Sequence, residues 1–542
     1  RAGSGARLVV KWEGKTLVDE AIDIPPASPV RAGPAFRPDP TSRVRDLSAA
    51  LATSYQTLSA VEDELGQTAW YTGGWHGRGL GERPLLGQIP ALAPESLGSA
   101  SFRETHHTRW AYVAGAMAGG IASADLVIAM AKADLLGFFG AGGLPLPAVE
   151  ESVARMAKEL EGRSNWGCNL LNNPHEPAVE AKTVDLYLKY GVRRVSASAY
   201  MGLSPAVVRY RLAGLRKGAD GQVICDNHVL AKVSRPEVAE KFLRPAPQAL
   251  IDELVQSGAI TAEQGEMAVH VPIACDITAE GDSGGHTDHR PLLVLLPILQ
   301  SLRDQIAAEQ IVKVPLRVGA AGGLGTPAAL WAAFAMGADY VLTGSVNQAT
   351  VEAGTSPIAK AMLAEAAYTD VASGPAPDMF EMGAKVQVLS RGSMYARRAQ
   401  LLYDIYKAYP SMEAIPEKEK KKVEKQILQR PMAEVWEGTR TYWADRDPRQ
   451  VAKAEAEPRH KMALTFRWYL GMTSRWARIG DDGRKRDYQV WCGPAMGGFN
   501  SWAEGGDLQA LNNRGVVEVA DALMNGAAAE ARRSVGRSLG LL

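Results

Sequence analysis

The stretch R-V-G-A-A-G-G-L-G-T-P, residues 317–327, is followed one helix later by A-D-Y-V-L-T-G-S-V-N-Q, residues 338–348. Both are short apolar runs that end in glycine and small polar residues, and residues 327–336 between them carry apolar side chains at helical spacing. A buried strand that turns at glycine into a helix is the repeating unit of parallel α/β folds. This stretch therefore predicts two neighbouring parallel strands joined by a helix.

The same rhythm extends over residues 108–379 and gives eight strands. The helical segments between them include residues 148–160 and 178–190, with Gly191 and Gly337 as helix stops. Eight βα units predict a closed (β/α)₈ TIM barrel, and residues 236–269, longer than one helix needs, predict a helical insertion after strand five. The predicted strands are residues 111–116, 135–140, 166–171, 194–198, 229–234, 274–279, 316–320 and 340–343.

An open, doubly wound sheet is the alternative fold. It would place G-x-G-x-x-G in the first βα turn, with an acidic residue about 20 residues later. The first turn here, residues 114–120, reads A-G-A-M-A-G-G and matches that fingerprint weakly. The barrel is therefore favoured.

The regions on either side of the barrel do not show the alternating strand and helix pattern. Residues 1–105 predict an N-terminal capping or docking segment, with a strand at 8–12, a proline-rich stretch at 25–40 and a helical pattern at 44–65. The barrel itself is assigned to residues 106–378. Residues 379–542 contain six of the twelve tryptophans and a mixed Lys/Glu run at 417–425, and they predict a separate, mostly helical domain.

Composition excludes several classes of protein. Lys+Arg and Asp+Glu both number 60, so the net charge is zero and the footprint of a nucleic-acid binder is missing. The four cysteines lie far apart and predict neither a disulfide framework nor a zinc site. The longest apolar stretch, residues 292–299, is interrupted by Pro297 and is far shorter than the ~20 residues of a membrane span. We expect a cytoplasmic protein without a metal ion.

In a TIM barrel the active site lies at the carboxyl ends of the strands. The glycine turns after strands seven and eight expose backbone N–H groups near helix starts, where such barrels commonly hold a phosphate. We therefore predict a phosphate cradle; the alternative is that these glycines only permit tight turns. The cradle residues are Gly322, Gly323, Gly344 and Ser345.

The loop after strand six, T-A-E-G-D-S-G-G-H-T-D-H at residues 278–289, is dense in ionisable and flexible residues. G-D-S-G-G at 281–285 resembles the surroundings of a serine nucleophile, but the chain lacks the scaffold and partner order of such enzymes. Metal binding by Asp282, His286, Asp288 and His289 is a second interpretation, although no closed ligand set is present. The favoured interpretation makes His286, presented by Gly284 and Gly285, a proton donor, since both protonation states of histidine are accessible near neutral pH.

A phosphate cradle of this kind suits a phosphosugar or a flavin mononucleotide. Asn169 at the end of strand three offers an amide for the edge of a flat ring, and Gly115 and Ala116 after strand one are small enough to lie against its face. Flavin is favoured.

Lys232 lies at the end of strand five. It could act electrostatically or form a Schiff base in an aldolase, and the alternative is a surface lysine.

Several motifs together resemble a known family. A-G-A-M-A-G-G from Ala114, N-L-L-N-N-P from Asn169 and T-G-S-V-N-Q from Thr343 resemble the FMN-dependent barrels of the nitronate monooxygenase and enoyl-ACP reductase II superfamily. S-G-G-H-T-D-H-R-P-L from Ser283 and A-P-D-M-F-E-M-G from Ala376 are similar to the PfaD-type enoyl reductase of polyunsaturated fatty acid synthases and trans-acting polyketide relatives. The resemblance runs from about residue 89 to the end.

The resemblance implies a trans-acting enoyl reductase that uses NADPH or NADH and FMN to reduce the 2,3 double bond of an enoyl thioester on an acyl carrier protein. It implies His286 as a catalytic residue, and we predict Lys232, from its place at the end of strand five, as a second catalytic residue that assists electrostatically. A homodimer is compatible with the resemblance.

The final phosphate turn of the superfamily often has the sequence Gly-Thr. In this chain it is Gly344-Ser345, which keeps a hydroxyl group at the second position. The resemblance implies that Asn169 and Gly115 face the flavin ring and that Gly322, Gly323, Gly344 and Ser345 hold its phosphate. The full set of predicted cofactor-binding residues is Gly115, Ala116, Asn169, Glu280, Gly284, Gly285, Gly322, Gly323, Gly344 and Ser345.

Three other functions stay open at this point: a nitronate-type flavin oxidase, a docking protein without catalysis, and a phosphosugar aldolase or isomerase. Two basic patches, residues 209–217 and 391–398, could meet an acidic carrier protein, or they are ordinary surface.

Overall fold

The computed structural model describes residues 6–12, 15–22, 34–53, 55–77, 81–172, 176–309 and 314–542, with the backbone alone for 6–12 and 15–22. The chain forms two compact units. The smaller unit comprises Arg1–Ala93 together with Ala528–Leu542, and the larger one comprises Pro94–Ala527. The predicted domain boundaries at residues 105 and 378 stay predictions.

The smaller unit contains an antiparallel hairpin of β1 and β2, a five-stranded sheet in the order β5-β4-β7-β3-β6, and the helix α1. The strand predicted at residues 8–12 is part of β1, whereas much of the predicted proline-rich stretch lies outside the described residues. The elements are β1 (Ala6–Trp12), β2 (Lys15–Ile22), β3 (Ala35–Pro38), α1 (Leu47–Ala52), β4 (Leu58–Glu62), β5 (Thr68–Tyr71), β6 (Gly74–His76) and β7 (Arg83–Ile89).

The helical pattern predicted at residues 44–65 is wrong beyond α1, because β4 occupies residues 58–62. Alternate residues of β4 enter different core clusters: Leu58 and Ala60 pack in one, and Val61 packs in the other. Apolar residues on both faces of a strand hide the two-residue period that would have identified it.

The larger unit is built on a closed parallel barrel in the order β8-β9-β10-β11-β14-β15-β17-β18. All eight predicted strands are present and the TIM-barrel prediction is confirmed. A hairpin of β12 and β13 and a three-stranded sheet in the order β16-β20-β19 were not predicted. The strands are β8 (Tyr112–Ala114), β9 (Leu136–Phe139), β10 (Trp166–Leu171), β11 (Arg194–Ser198), β12 (Leu215–Lys217), β13 (Val223–Cys225), β14 (His228–Val233), β15 (Asp276–Glu280), β16 (Gly285–His286), β17 (Arg317–Ala321), β18 (Val341–Thr343), β19 (Val371–Pro375) and β20 (Lys385–Leu389).

Helices surround the barrel and fill most of the region after it. Several begin with proline directly after a serine or threonine cap, as at Ser204 and Thr326, because the cap side chain accepts a backbone N–H and the fixed φ of proline suits the first turn. The predicted insertion after strand five contains α7, α8 and α9. The larger unit's helices are α2 (Ala100–His106), α3 (Ala124–Lys132), α4 (Leu146–Glu159), α5 (Pro177–Lys189), α6 (Pro205–Leu212), α7 (Pro236–Leu243), α8 (Gln248–Gln256), α9 (Ala262–Ala268), α10 (Leu292–Glu309), α11 (Pro327–Ala335), α12 (Pro357–Ala364), α13 (Tyr395–Ala408), α14 (Glu417–Val423), α15 (Met432–Arg446), α16 (Pro448–Ala456), α17 (Pro458–Ile479) and α18 (Ala495–Ala503), and α19 (Val516–Ser538) contributes to both units.

The amino-terminal end of the barrel is closed by α2. His106 at the end of this helix lies 3.1 Å from Asp276 through Nε2, and Arg194 donates to its Nδ1 at 3.0 Å. Arg317 donates to both oxygens of Asp276 at 2.6 and 3.0 Å. Burial between charged neighbours lowers the pKa of His106 to about 4, so its imidazole is neutral at physiological pH. This end is sealed, and the opposite end is left for a ligand.

Among the described residues, every helix is too short or too polar to cross a membrane.

Candidate active site

The strand face that carries this buried network continues along the inside of the barrel to its carboxyl end. His228 on β14 belongs to the network, since its ring centroid lies 5.4 Å from that of His106. Lys232 lies four residues beyond His228, and Glu280 lies four residues beyond Asp276 on β15, so both side chains are on the inner face of the barrel. Lys232 Nζ lies 2.7 Å from Glu280 Oε1. Two side chains that were predicted separately therefore form one ion pair in the barrel mouth, and both are mostly buried.

Asn169 lies on the inner face of β10, in the same mouth. Its Nδ2 donates to the carbonyl of Ser196 at 3.0 Å and approaches Ser198 Oγ at 3.4 Å. The barrel wall thus holds the amide nitrogen and leaves the side-chain oxygen as the group that could accept from a ligand. The last two residues of the N-L-L-N-N-P motif lie outside the described residues.

The glycines of the predicted cradle do two different things. A Cβ on Gly323 or Gly344 would meet no atom within 4 Å, so both turns border open space. A Cβ on Gly322 would lie 2.7 Å from the carbonyl carbon of Gly281, and φ at Gly322 is +95°. Gly322 therefore lets the loops after strands six and seven approach each other closely.

Strand one contributes Gly115 and Ala116 to the barrel mouth. A Cβ on Gly115 would overlap the Leu342 side chain, so this glycine permits close packing of the end of β8 against β18. Its contact with a flavin ring stays a prediction. Ala116 follows it and is half-buried at the mouth.

His286 is held in the two-residue strand β16, which pairs antiparallel with β20. Its Nε2 lies 2.9 Å from Asp378 Oδ1, and the Trp491 ring stands edge-on to it with the centroids 5.7 Å apart. Gly284 and Gly285 make this possible: a Cβ on Gly284 would lie 2.9 Å from the backbone of Cys492, and φ at Gly285 is +84°. The strand, the carboxylate and the indole ring together fix the position of the imidazole.

The other ionisable residues of this loop are engaged in pairs of their own. His289 Nδ1 lies 3.0 Å from Asp282, and Asp288 lies 3.1 Å from Arg235. Among the described residues, no group of three or more His, Cys, Asp and Glu side chains is arranged to hold a metal ion. The hydroxyl of Ser283 is buried without a hydrogen-bond partner in the described structure, which gives the serine-nucleophile interpretation no support.

The region after the barrel covers much of the mouth, and local sequence patterns did not reveal this. Arg478 on α17 donates to the carbonyl of Gly119 in the strand-one loop at 2.7 Å, and Arg446 on α15 lies 3.1 Å from Glu176 after strand three. The N–H of Gly493 donates to Ser345 Oγ at 3.1 Å in the strand-eight turn. We call residues 371–514 the cover; it belongs to the same compact unit as the barrel.

The two basic patches are largely neutralised by neighbouring carboxylates. Arg209 pairs with Asp185 and Arg216 with Asp226 in the first. In the second, Arg398 forms an ion pair with the buried Asp487. These cations are engaged within the chain.

Fold and site together define a (β/α)₈-barrel protein whose candidate site lies between the carboxyl ends of the strands and a helical cover. A solved structure shares this organisation: the enoyl reductase domain of MlnA from the macrolactin biosynthesis cluster of Bacillus amyloliquefaciens is 39% identical, with a TM-score of 0.79 over 82% of this chain and 99% of that one. The chain belongs to the family of this enoyl reductase domain, which is a family of oxidoreductases.

Curated relatives agree with this assignment. A polyunsaturated fatty acid synthase protein of Thraustochytrium sp. (strain ATCC 26185 / S-3) is 48% identical over 413 residues, which are 76% of this chain and 28% of that protein. Polyketide biosynthesis protein PksE of Bacillus subtilis (strain 168) is 43% identical over 433 residues, 80% of this chain and 56% of that protein. The chain thus spans between about a quarter and just over half of the length of these relatives.

A shorter match lies within the cover. Residues 409–488 match the family described as acyl-carrier-protein S-malonyltransferase, inserted helical domain.

Proposed function

We propose that this chain is a trans-acting enoyl reductase that uses NADPH or NADH and FMN to reduce the 2,3 double bond of enoyl thioesters carried by an acyl carrier protein. The observation that carries the proposal is the 39% identity to an enoyl reductase domain over 99% of that domain. The relatives that belong to polyunsaturated fatty acid synthases support a carrier-bound substrate.

The residues present fit FMN. Gly323 and Gly344 border open space at adjacent strand ends, where a phosphate could lie against the backbone. Ser345 Oγ accepts the N–H of Gly493, which leaves its own proton free for a phosphate oxygen. Asn169 on β10 offers a polar contact across the barrel from β17, and Glu280 offers one on β15, the strand next to β17. Gly284, Gly285 and Gly322 shape the loops around the space.

Bound FMN would supply hydride transfer from the nicotinamide to the β-carbon of the enoyl thioester. His286 would donate a proton to the α-carbon. Lys232, held at 2.7 Å by Glu280, would place a positive charge in the mouth where negative charge develops on the substrate. The cover would limit the access of water to this space.

The decisive experiment is an absorbance spectrum of the purified protein, followed by anaerobic addition of NADPH and then of crotonyl thioester. We expect a flavin spectrum that bleaches with NADPH and returns with the thioester. A protein that binds no FMN contradicts the proposal, and so does a reduced flavin that oxygen reoxidises but crotonyl thioester does not.

His286→Ala tests the proton donor within this function. We expect bound flavin and bleaching by NADPH to be retained, because His286 lies on the strand-six loop and not in the phosphate turns. Enoyl turnover should fall by about 10²- to 10⁴-fold, the usual contribution of a general acid. Undiminished turnover would remove His286 from the mechanism.

A further inference from the structure

We propose that Asp378 is a positioning residue for His286, one that fixes which imidazole nitrogen faces the substrate. This inference rests on the proposed function. It concerns a carboxylate 92 residues away in sequence, beyond the last barrel strand. Its basis is the 2.9 Å contact between His286 Nε2 and Asp378 Oδ1.

Asp378 is held by a turn that is itself fixed. It lies between β19 and β20, where the N–H of Ala376 donates to the carbonyl of Ala384 at 2.8 Å. Tyr395 donates to the carbonyl of Pro375 at 2.7 Å at the start of the turn. Because β20 also pairs with β16, one sheet carries both members of the contact.

The carboxylate determines the tautomer. Burial raises the pKa of Asp378 and the hydrogen bond with His286 lowers it, and the net direction is downward, so Asp378 is ionised at neutral pH. An ionised carboxylate can only accept, so Nε2 carries the proton and Nδ1 is left to exchange a proton with the substrate. Among the described residues, no hydrogen bond engages Nδ1.

The proton step balances as follows. The doubly protonated imidazole breaks its Nδ1–H bond, and the electron pair on the α-carbon of the reduced thioester forms the new C–H bond. His286 becomes neutral and keeps the Nε2–H bonded to Asp378. Solvent then returns a proton to Nδ1, which is feasible because the His286 side chain is 36% exposed.

The contact between His286 and Asp378 contributes little to folding stability, so its effect on the reaction can be measured separately. The Asp378 side chain is 61% exposed, and exposed ion pairs contribute little to folding stability because solvent screens them. Removing the carboxylate should therefore leave the fold intact. A matched control exists in Asp125, whose side chain is 59% exposed and pairs with Arg155 on the outer helices.

The test is rapid-mixing kinetics on the FMN-loaded chain, with flavin reduction by NADPH and reoxidation by crotonyl thioester measured separately. For Asp378→Ala we expect reduction within about twofold of wild type, reoxidation slowed about tenfold or more, and an unchanged KM for the thioester. Asp378→Glu should recover part of the rate, whereas Asp125→Asn should behave as wild type.

Unchanged reoxidation in Asp378→Ala would overturn the inference, and so would equal slowing of both half-reactions, which indicates a structural role. If Asp378→Ala does not fold, the same criteria apply to the near-isosteric Asp378→Asn. A wild-type chain that crotonyl thioester cannot reoxidise overturns the proposed function itself, irrespective of any variant.

Discussion

Gly344 gives the sharpest test of the phosphate cradle, because its effect on folding and its effect on FMN binding can be measured separately. A Cβ on Gly344 would meet no atom within 4 Å, and its φ of −126° with ψ of −78° lies in a sparsely populated region of the backbone map. Gly344→Ala should therefore cost about 1–3 kcal/mol of folding stability at most, because backbone strain is not accompanied by a steric clash.

The same methyl group would enter the space assigned to the FMN phosphate. Losing one hydrogen bond to a charged group costs about 1.5–3 kcal/mol. At about 1.4 kcal/mol for each factor of ten, FMN should bind about ten- to hundredfold more weakly. The assay is titration of flavin-free protein with FMN, followed by quenching of flavin fluorescence, alongside thermal unfolding of the flavin-free form.

Gly322→Ala is the contrasting variant. Its φ of +95° and a Cβ only 2.7–2.9 Å from backbone atoms of Gly281 and Asp282 require the loop to shift. We expect a loss of about 2–5 kcal/mol of folding stability from strain and overpacking. If Gly344→Ala binds FMN as tightly as wild type, the phosphate does not occupy this turn and the reasoning is refuted.

Three further predictions follow from the described contacts. The pKa of His106 is lowered to about 4 in the folded chain and lies near 6.5 in the unfolded chain. The free energy of unfolding should therefore fall by about 3 kcal/mol as the pH decreases from about 6.5 to about 4. Urea unfolding of wild type and of His106→Gln at several pH values measures this loss. The fully buried Arg532 donates to the carbonyls of Ala50, Leu51 and Gln56. Arg532→Ala should therefore destabilise the smaller unit by about 3 kcal/mol or more, and Arg532→Lys should destabilise it by less. Thermal unfolding measures both losses. Ser345→Ala should weaken FMN binding about tenfold, whereas Ser345→Thr, which keeps the hydroxyl, should not; equal binding by both would exclude the side chain from the cradle.

The amino-acid sequence by itself determined the barrel. Each strand is a short apolar run, each turn carries glycine, and each helix shows its own periodicity, so the signals are local and repeat eight times. Lys232 and Glu280 could likewise be placed near each other, because the carboxyl ends of neighbouring parallel strands meet at one edge.

Tertiary structure alone decided what completes the mouth. Asp378 stood inside the quoted A-P-D-M-F-E-M-G motif, but its contact with His286 spans 92 residues. Arg478 reaches Gly119 across 359 residues, and Gly493 reaches Ser345 across 148. Trp491 had no local signal beyond being one of many aromatic residues. Such contacts depend on how the helices and strands pack against one another. A pattern of neighbouring residues predicts the helix or strand that a residue belongs to, but it does not predict which distant side chain will contact that residue.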